Sequence, residues 1–340
     1  MKEVPVILIG KGKVGQAFLH LLIEKRSIFR GKYQVDFFLQ GIFRSSGGAL
    51  WRRKEAQEVF FFPDEQLESA EYWQAGFNFL DAPLKKYSPG VVVLATASLL
   101  ETGEPGLSYI RKALASGWHV VSADKGPLVS HFRELVTAAK TRGLSLKYSA
   151  CTAAALPTVD VALTSLAGTE IIKIEGILNG TTNYLLTRMG EGLSYEEALE
   201  EAKNKGIAEP DPTRDVEGWD TAVKILLLAR TIYGVEVKLE DIEREGMSGI
   251  SGEEVRQIAG RGRALKLLGL ISRDQRKISL SVKLVPLSKN HPLFFVQGAE
   301  KGICFTTDTM SLVTVIGGKS DPRGAAAAMI KDMINIFTRF

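Results

Sequence analysis

Five carboxylates, Glu209, Asp211, Asp215, Glu217 and Asp220, crowd the sixteen residues of EPDPTRDVEGWDTAVK, which runs straight into ILLLAR. If residues 218–233 form a helix, Asp220 and Lys224 stand four apart on one face, acid toward the N-terminus, the favourable order for an ion pair. Ala222, Val223, Ile225, Leu226 and Leu227 cover most of the remaining surface. A lysine hemmed in this way is either paired or shifted in proton affinity, and both conditions are characteristic of catalytic ammonium groups. The plainer alternative is an amphipathic helix whose polar stripe faces water. The upstream acids favour chemistry, because carboxylates converging on a loop before such a helix could hold a substrate's α-ammonium group.

A second constellation lies near the N-terminus. GKGKVG places Gly10, Gly12 and Gly15 directly after the β-rich VPVIL and at the start of a helical pattern, Val14, Phe18, Leu21 and Leu22. In that setting glycines permit a tight turn, close approach of backbone to a pyrophosphate and close helix packing, while the helix start offers free N–H groups to the anion. The bland alternative is a plain glycine turn. Cofactor choice rests on charge after the second strand, where GIFRSSGG supplies Arg44, Ser45 and Ser46, with Arg52, Arg53 and Lys54 close in sequence. A cationic fork suits a 2′-phosphate, so NADP is favoured over NAD, against the alternative of a solvated basic face.

These groups need elements to hold them. Short β-rich runs (VPVIL, VDFFLQGIF, VVVLATA, WHVVSA, LSLKYSA) alternate with helical patterns, including one from about residue 127. That alternation predicts an α/β fold with a Rossmann-type, doubly wound parallel sheet. The stretch WRRKEAQEVFFFPDE reads as helix and turn. Past Cys151 the character changes. IIKIEGIL and KISLSVKLV read as strands, YEEALEEAKNKG as an exposed helix ending at Gly206, and GWDTAVKILLLARTIYG as a buried helix ending at Gly234. These predict a second, α+β domain over residues 151–304, after a dinucleotide-binding domain over residues 1–150. The tail, SLVTVIGG then RGAAAAMIKDMINIF, reads as a strand and a helix that rejoin the first sheet, so about 305–340 is assigned to the first domain.

Composition narrows the function classes. With 340 residues and 45% hydrophobic content, two packed domains are the natural expectation. A formal net charge of +4 and the lack of a dense basic block point to a small anionic ligand and away from nucleic acid. Two cysteines, Cys151 and Cys304, lack partners at metal-ligand spacing, which argues against zinc and a disulfide framework and suggests a reduced, cytoplasmic setting. The N-terminal apolar run, Val4 to Ile9, is too short for a signal peptide, and no stretch reaches the roughly 18 apolar residues of a spanning helix.

ILNGTTNYLLTRM followed by YEEALEEAKNKGIAEPDPTRDVEGWDTAVK closely resembles the signature region of homoserine dehydrogenase, the NAD(P)-dependent enzyme linking aspartate semialdehyde and homoserine. The likeness extends upstream through TGEPGLSYIRKALASGWHVVSADKGPL and downstream through HPLFFVQG and CFTTD. Its length resembles the short form of the family, without a C-terminal regulatory module. The resemblance implies that Glu209 and Asp215 bind the substrate's amino group, that Asp220 and Lys224 serve proton transfer, and that Lys125 is a second lysine beside substrate and nicotinamide. It also implies that the segment Asn179 to Asn183, with Asn179, Gly180 and Thr181 toward substrate, lines the family's site between the domains, and that the protein is a homodimer. Asp211, between two prolines, fits a turn, and Glu217 a solvated acid. The residues assigned to cofactor are Gly10, Gly12, Lys13, Val14, Gly15, Arg44, Thr96 and Lys125.

Several positions depart from the family's pattern. Asp124 stands before Lys125 where NK is typical, and an acid there would raise the lysine's proton affinity and repel a substrate carboxylate. Ser149 replaces a common acid, and Ala153 and Ala155 stand where glycine is frequent, in a segment the family associates with a monovalent cation. No metal is assigned. GGKSDPRGAAAA occupies the place of a GPGAG-like loop, with Lys319 and Asp321 adding charge. Two alternatives stay open: a catalytically weak NADP-binding paralogue acting as sensor or partner subunit, and a related amino-acid dehydrogenase with another substrate.

Overall fold

The computed structural model describes residues 1–51, 73–275, 277–318 and 320–338. Arg52, Arg53, Lys54, the rest of WRRKEAQEVFFFPDE after Trp51, and Lys319 lie outside the described residues. The chain divides into two compact units, Met1–Cys151 with Ala325–Phe340, and Thr152–Gly324.

The first unit is built on strands β1 (Lys2–Ile9), β2 (Val35–Arg44), β3 (Gly47–Leu50), β4 (Gln74–Ala75), β5 (Val91–Leu94), β6 (His119–Ser122) and β7 (Leu146–Lys147). Their order is β4-β3-β2-β1-β5-β6-β7. Neighbours from β2 through β7 pair in parallel, while β3 and β4 close one edge antiparallel. Apolar residues run through β1 and β5 without alternation because both faces are covered. Val4, Val6, Leu8, Val91 and Val93 join one core with Phe18 and Leu22 of helix Lys13–Glu24. Ile7, Ile9, Val92 and Leu94 join the other with Leu107, Ile110 and Leu114 of helix Gly106–Ala115. The sheet is therefore doubly wound, and its strands deliver Arg44 at the carboxyl end of β2 and Gly10, Thr96 and Lys125 just beyond those of β1, β5 and β6.

The second unit holds β8 (Ile171–Ile177), β9 (Glu243–Arg244), β10 (Ala264–Asp274), β11 (Lys277–Leu287), β12 (Lys301–Thr307) and β13 (Leu312–Gly317), in the order β13-β12-β8-β10-β11-β9. Among its pairs only β11 with β9 is parallel among the described residues. Helix Trp219–Tyr233 lies so close to β10 that a Cβ on Gly269 would stand 2.5 Å from Ile225 Cγ2 and 3.0 Å from Thr221 Cγ2. Gly234, at φ +66°, ends that helix in the left-handed conformation that glycine adopts without steric cost.

One topological expectation is corrected. The strand in SLVTVIGG does not rejoin the first sheet: β13 pairs antiparallel with β12 through a tight hairpin in which Thr307 N–H donates to Ser311 O at 2.8 Å. So short a connection allows only an antiparallel neighbour, whereas a return to the parallel sheet would need a crossover. Helix Pro322–Phe337 alone goes back, burying Ala326, Met329, Ile330 and Met333 against the core of β1 and β5.

Candidate functional site

The carboxylate segment folds into two short steps. Asp211 makes a turn just before helix Thr213–Val216, its Oδ1 accepting from Thr213 N at 3.1 Å and Thr213 Oγ1 at 2.5 Å, the role its flanking prolines suggest. Gly218, at φ +77°, then turns the chain into helix Trp219–Tyr233, and a Cβ there would meet Glu245 O at 2.9 Å. Asp220 falls in the first helical turn, where the free N–H groups favour an anion. Lys224, one turn on and only 8% exposed, places Nζ 2.5 Å from Asp220 Oδ2 and donates to Leu178 O at 2.7 Å. The lysine is thus buried and paired.

Asn179 reaches the same carboxylate from elsewhere in the chain. It caps helix Gly180–Gly190, its Oδ1 accepting from Thr182 N at 3.0 Å. That leaves Nδ2 to donate to Asp215 Oδ1 at 2.7 Å and Asp220 Oδ2 at 2.9 Å. Burial, and next the neighbouring charge of Asp220, raise the pKa of Asp215, with Asn179, Lys224 and Thr181 working the other way. Thr181 is itself buried and donates to Ile207 O at 3.1 Å. Gly180 is packed so tightly that a Cβ would stand 2.8 Å from Ala299 O.

Asn179, Asp215, Asp220 and Lys224 therefore form one hydrogen-bonded cluster. Glu209 is exposed and makes no hydrogen bond or ion pair among the described residues. Glu217 belongs to a different set, with Arg244 3.8 Å from its carboxylate and stacked 3.8 Å from the Trp219 ring centroid.

In the first unit the glycine turn divides its labour. A Cβ on Gly10 would lie 2.5 Å from Ala95 O, just past β5, and one on Gly15 would lie 2.1 Å from Gly10 O, so Gly10 lets two strand ends pass closely and Gly15 lets the helix pack on the turn. Gly10 also has φ +94°. A Cβ on Gly12, by contrast, meets nothing within 4 Å. This open, exposed cap at the start of helix Lys13–Glu24 fits a pyrophosphate, with the following N–H groups as donors. Lys13 is exposed beside it, and Val14 packs partly against the core. Gly10 N–H donates to Phe43 O at 2.9 Å, so the glycine turn and the approach to Arg44, half-buried at the end of β2, lie side by side.

Thr96 and Lys125 are drawn together by Asp124. The fully buried carboxylate accepts from Thr96 Oγ1 at 2.8 Å and Gly126 N at 2.9 Å, and Lys125 N–H donates to Ser98 Oγ at 2.8 Å. Burial raises the pKa of Asp124. The carboxylate points inward and clasps the loops after β5 and β6, and Lys125 stands half-buried at the start of helix Gly126–Thr141.

The departures at Ser149 and Asp321 also find structural partners. Asp332, buried on the C-terminal helix, accepts from Ser149 N at 2.9 Å and Ser149 Oγ at 2.8 Å, with Lys331 2.7 Å away. An acid reaches this position from far along the chain. Asp321 Oδ1 accepts from Gly324 N at 2.5 Å and so caps helix Pro322–Phe337 instead of presenting a bare charge. In the second unit, the Lys301 ammonium donates to Ala153 O at 2.8 Å. Among the described residues no group of three His, Cys, Asp or Glu side chains could hold a metal ion, and no helix is long and apolar enough to cross a membrane.

Sequence reading missed Asn183 as an individual polar contact and passed over Lys266 entirely. Lys266 Nζ donates to Asn183 Oδ1 at 2.9 Å and Val296 O at 2.5 Å from within β10. Its one signal was a lone lysine in the apolar run ALKLLGL.

Comparison with known proteins is consistent across sequence and structure. A family model described as homoserine dehydrogenase matches residues 157–334. The chain is 35% identical to a homoserine dehydrogenase of Methanocaldococcus jannaschii over 98% of each chain. It is 31% identical to an NAD(+)-dependent homoserine dehydrogenase of Pseudomonas canavaninivorans, covering 99% of this chain and 97% of that one. The crystal structure of a homoserine dehydrogenase from Thiobacillus denitrificans superposes with a TM-score of 0.83 at 26% identity, covering 99% of this chain and 74% of the other.

Proposed function

Because the chain belongs to the homoserine dehydrogenase family, we propose that it interconverts L-aspartate 4-semialdehyde and L-homoserine, with Lys224 moving the proton and NADP as the preferred cofactor over NAD. The observation that carries this reading is the buried cluster of Asn179, Asp215, Asp220 and Lys224.

An ammonium has three N–H donors. Asp220 Oδ2 and Leu178 O take two of those on Lys224, and the third remains for a substrate oxygen. A bound nicotinamide supplies or accepts the hydride at the substrate's carbonyl carbon. As negative charge grows on the carbonyl oxygen, Lys224 donates its proton there; in the reverse direction its neutral amine takes the hydroxyl proton of homoserine. Asp220 holds the lysine in place. Asp215, with Glu209, receives the substrate's α-ammonium group. Asn179 fixes both Asp215 and Asp220 through one amide and spends its own oxygen on the helix start. Lys125 orients the substrate or supports the developing charge, and the roles of the two lysines are open to exchange.

For the cofactor, the open face of Gly12 and the N–H groups after it suit the pyrophosphate, with Lys13, Val14 and Thr96 nearby in the same unit, and Arg44 suits a 2′-phosphate. The Pseudomonas canavaninivorans relative is named NAD(+)-dependent, so NAD is the second cofactor to test. Two further expectations complete the proposal: a cytoplasmic setting, from the two unpaired cysteines, and a homodimer formed through the second unit, from the resemblance.

The test is absorbance at the reduced-nicotinamide band with L-homoserine and either cofactor, beside a panel of 2-amino acids bearing a terminal hydroxyl. Turnover fastest with homoserine supports the reading. Cofactor binding without turnover would favour a sensor, and faster turnover of another amino acid a different substrate.

A further inference from the structure

Lys266 lies near the start of β10, within its apolar run, and is 3% exposed. No carboxylate lies within ion-pair distance of it among the described residues; its ammonium is held by Asn183 Oδ1 at 2.9 Å and Val296 O at 2.5 Å. Burial pushes its pKa down to about 8. A cationic group is rarely kept in such a place without a specific task.

The task is visible in what the ammonium fixes. With Oδ1 taken by Lys266, the Asn183 amide turns Nδ2 toward three carbonyls, Gly298 O at 2.9 Å, Glu300 O at 3.2 Å and Val296 O at 3.3 Å. Thr187 adds a second tie, its Oγ1 donating to Asn183 O at 2.7 Å and accepting from Gly298 N at 3.3 Å. The segment from Val296 to Glu300 is thereby strapped along helix Gly180–Gly190. Its Ala299 O lies against Gly180, the residue that follows Asn179. Asn179 in turn holds Asp215 and Asp220.

We infer that Lys266 is a positioning residue for amino-acid binding: through Asn183 it anchors the Val296–Glu300 strap, which fixes the helix start from which Asn179 orients the two acids. This inference rests on the proposed function for its kinetic readout, but not for its structural one.

Lys266→Met keeps the length of the side chain and removes the donor. The expected result is a rise of about tenfold in KM for L-homoserine, with kcat within about threefold and KM for the nicotinamide cofactor within about twofold of the parent. Hydrogen exchange should quicken in peptides spanning 179–187 and 293–300 while the first unit is unchanged. An unchanged amino-acid KM, or equal shifts in both KM values, would overturn the inference. Thr187→Val loosens the same strap without touching the lysine and serves if Lys266→Met does not fold. A rise of about threefold in amino-acid KM alone supports the strap, and movement of both KM values or of neither overturns it. If the parent protein does not turn over homoserine, the functional reading fails on its own, and exchange in the two peptides decides the anchor: faster supports it, unchanged removes it.

Discussion

Asn179 and Asp220, 41 residues apart in the chain, meet through a 2.9 Å hydrogen bond onto the same carboxylate oxygen that Lys224 approaches at 2.5 Å. A helix cap, an acid and an ammonium are thus joined at one atom. The cap residue cannot move without disturbing the pair, which is the preorganisation that proton transfer requires.

Asp215 gives the account a pH signature. Its folded pKa lies above the ordinary 3.8 because burial and Asp220 disfavour its charge. As pH falls through that raised value the carboxyl is protonated and loses its hold on a substrate ammonium, so KM for homoserine should climb on the acid side. Stability runs the opposite way: between 3.8 and the raised pKa the folded state binds more protons than the unfolded, so this group's contribution to stability falls as pH rises. Asp215→Asn should therefore leave the melting temperature equal or higher at neutral pH while raising KM about tenfold or more, the scale of one charge-assisted hydrogen bond. Thermal melts and initial rates across pH 5–8 check both halves.

The three glycines of the turn should separate under substitution. Gly12→Ala is expected to fold normally and to weaken nucleotide binding about tenfold, since its new methyl group would enter the space left for the pyrophosphate. Gly10→Ala and Gly15→Ala force a methyl group onto backbone oxygens and should cost about 1–3 kcal/mol of stability. Denaturant midpoints and nucleotide titrations measure the two effects independently.

Arg44→Ala should raise KM for NADP about tenfold or more and leave KM for NAD within about twofold, because only the former carries a 2′-phosphate for the guanidinium. Equal effects on both cofactors would remove Arg44 from that role.

Asp124 provides a test of clasp against charge. Asp124→Asn retains an oxygen for Gly126 N–H and a polar group for Thr96 Oγ1, so turnover within about threefold of the parent is expected. Asp124→Ala leaves Thr96 Oγ1 and Gly126 N–H without their buried acceptor, at about 1–3 kcal/mol for each group. A large gain in homoserine affinity for Asp124→Asn would instead reinstate the carboxylate as a charge opposing substrate.

What was readable in the sequence was local. The glycine turn announced itself because strand, turn and helix are contiguous, and Asp220 with Lys224 because four residues make one helical turn. Asn179 gave no comparable signal for its acids: Asp215 and Asp220 lie 36 and 41 residues away, and only folding chooses their partner. Asp332 likewise reaches Ser149 across 183 residues. The strand Leu312–Gly317 was assigned to the wrong sheet because a strand followed by a helix has the same pattern whichever sheet receives it. Lys266 was hidden by an apolar strand whose period revealed neither its burial nor its partners.

The most direct test is the turnover number of Lys224→Met with L-homoserine under saturating cofactor. A buried pair broken on one side costs about 3–5 kcal/mol of stability, so the variant is to be compared below its own melting temperature. Loss of the proton-transfer group predicts a fall in kcat of about 10²–10⁴-fold with cofactor affinity intact. Turnover close to that of the parent would contradict the assignment of the proton to Lys224.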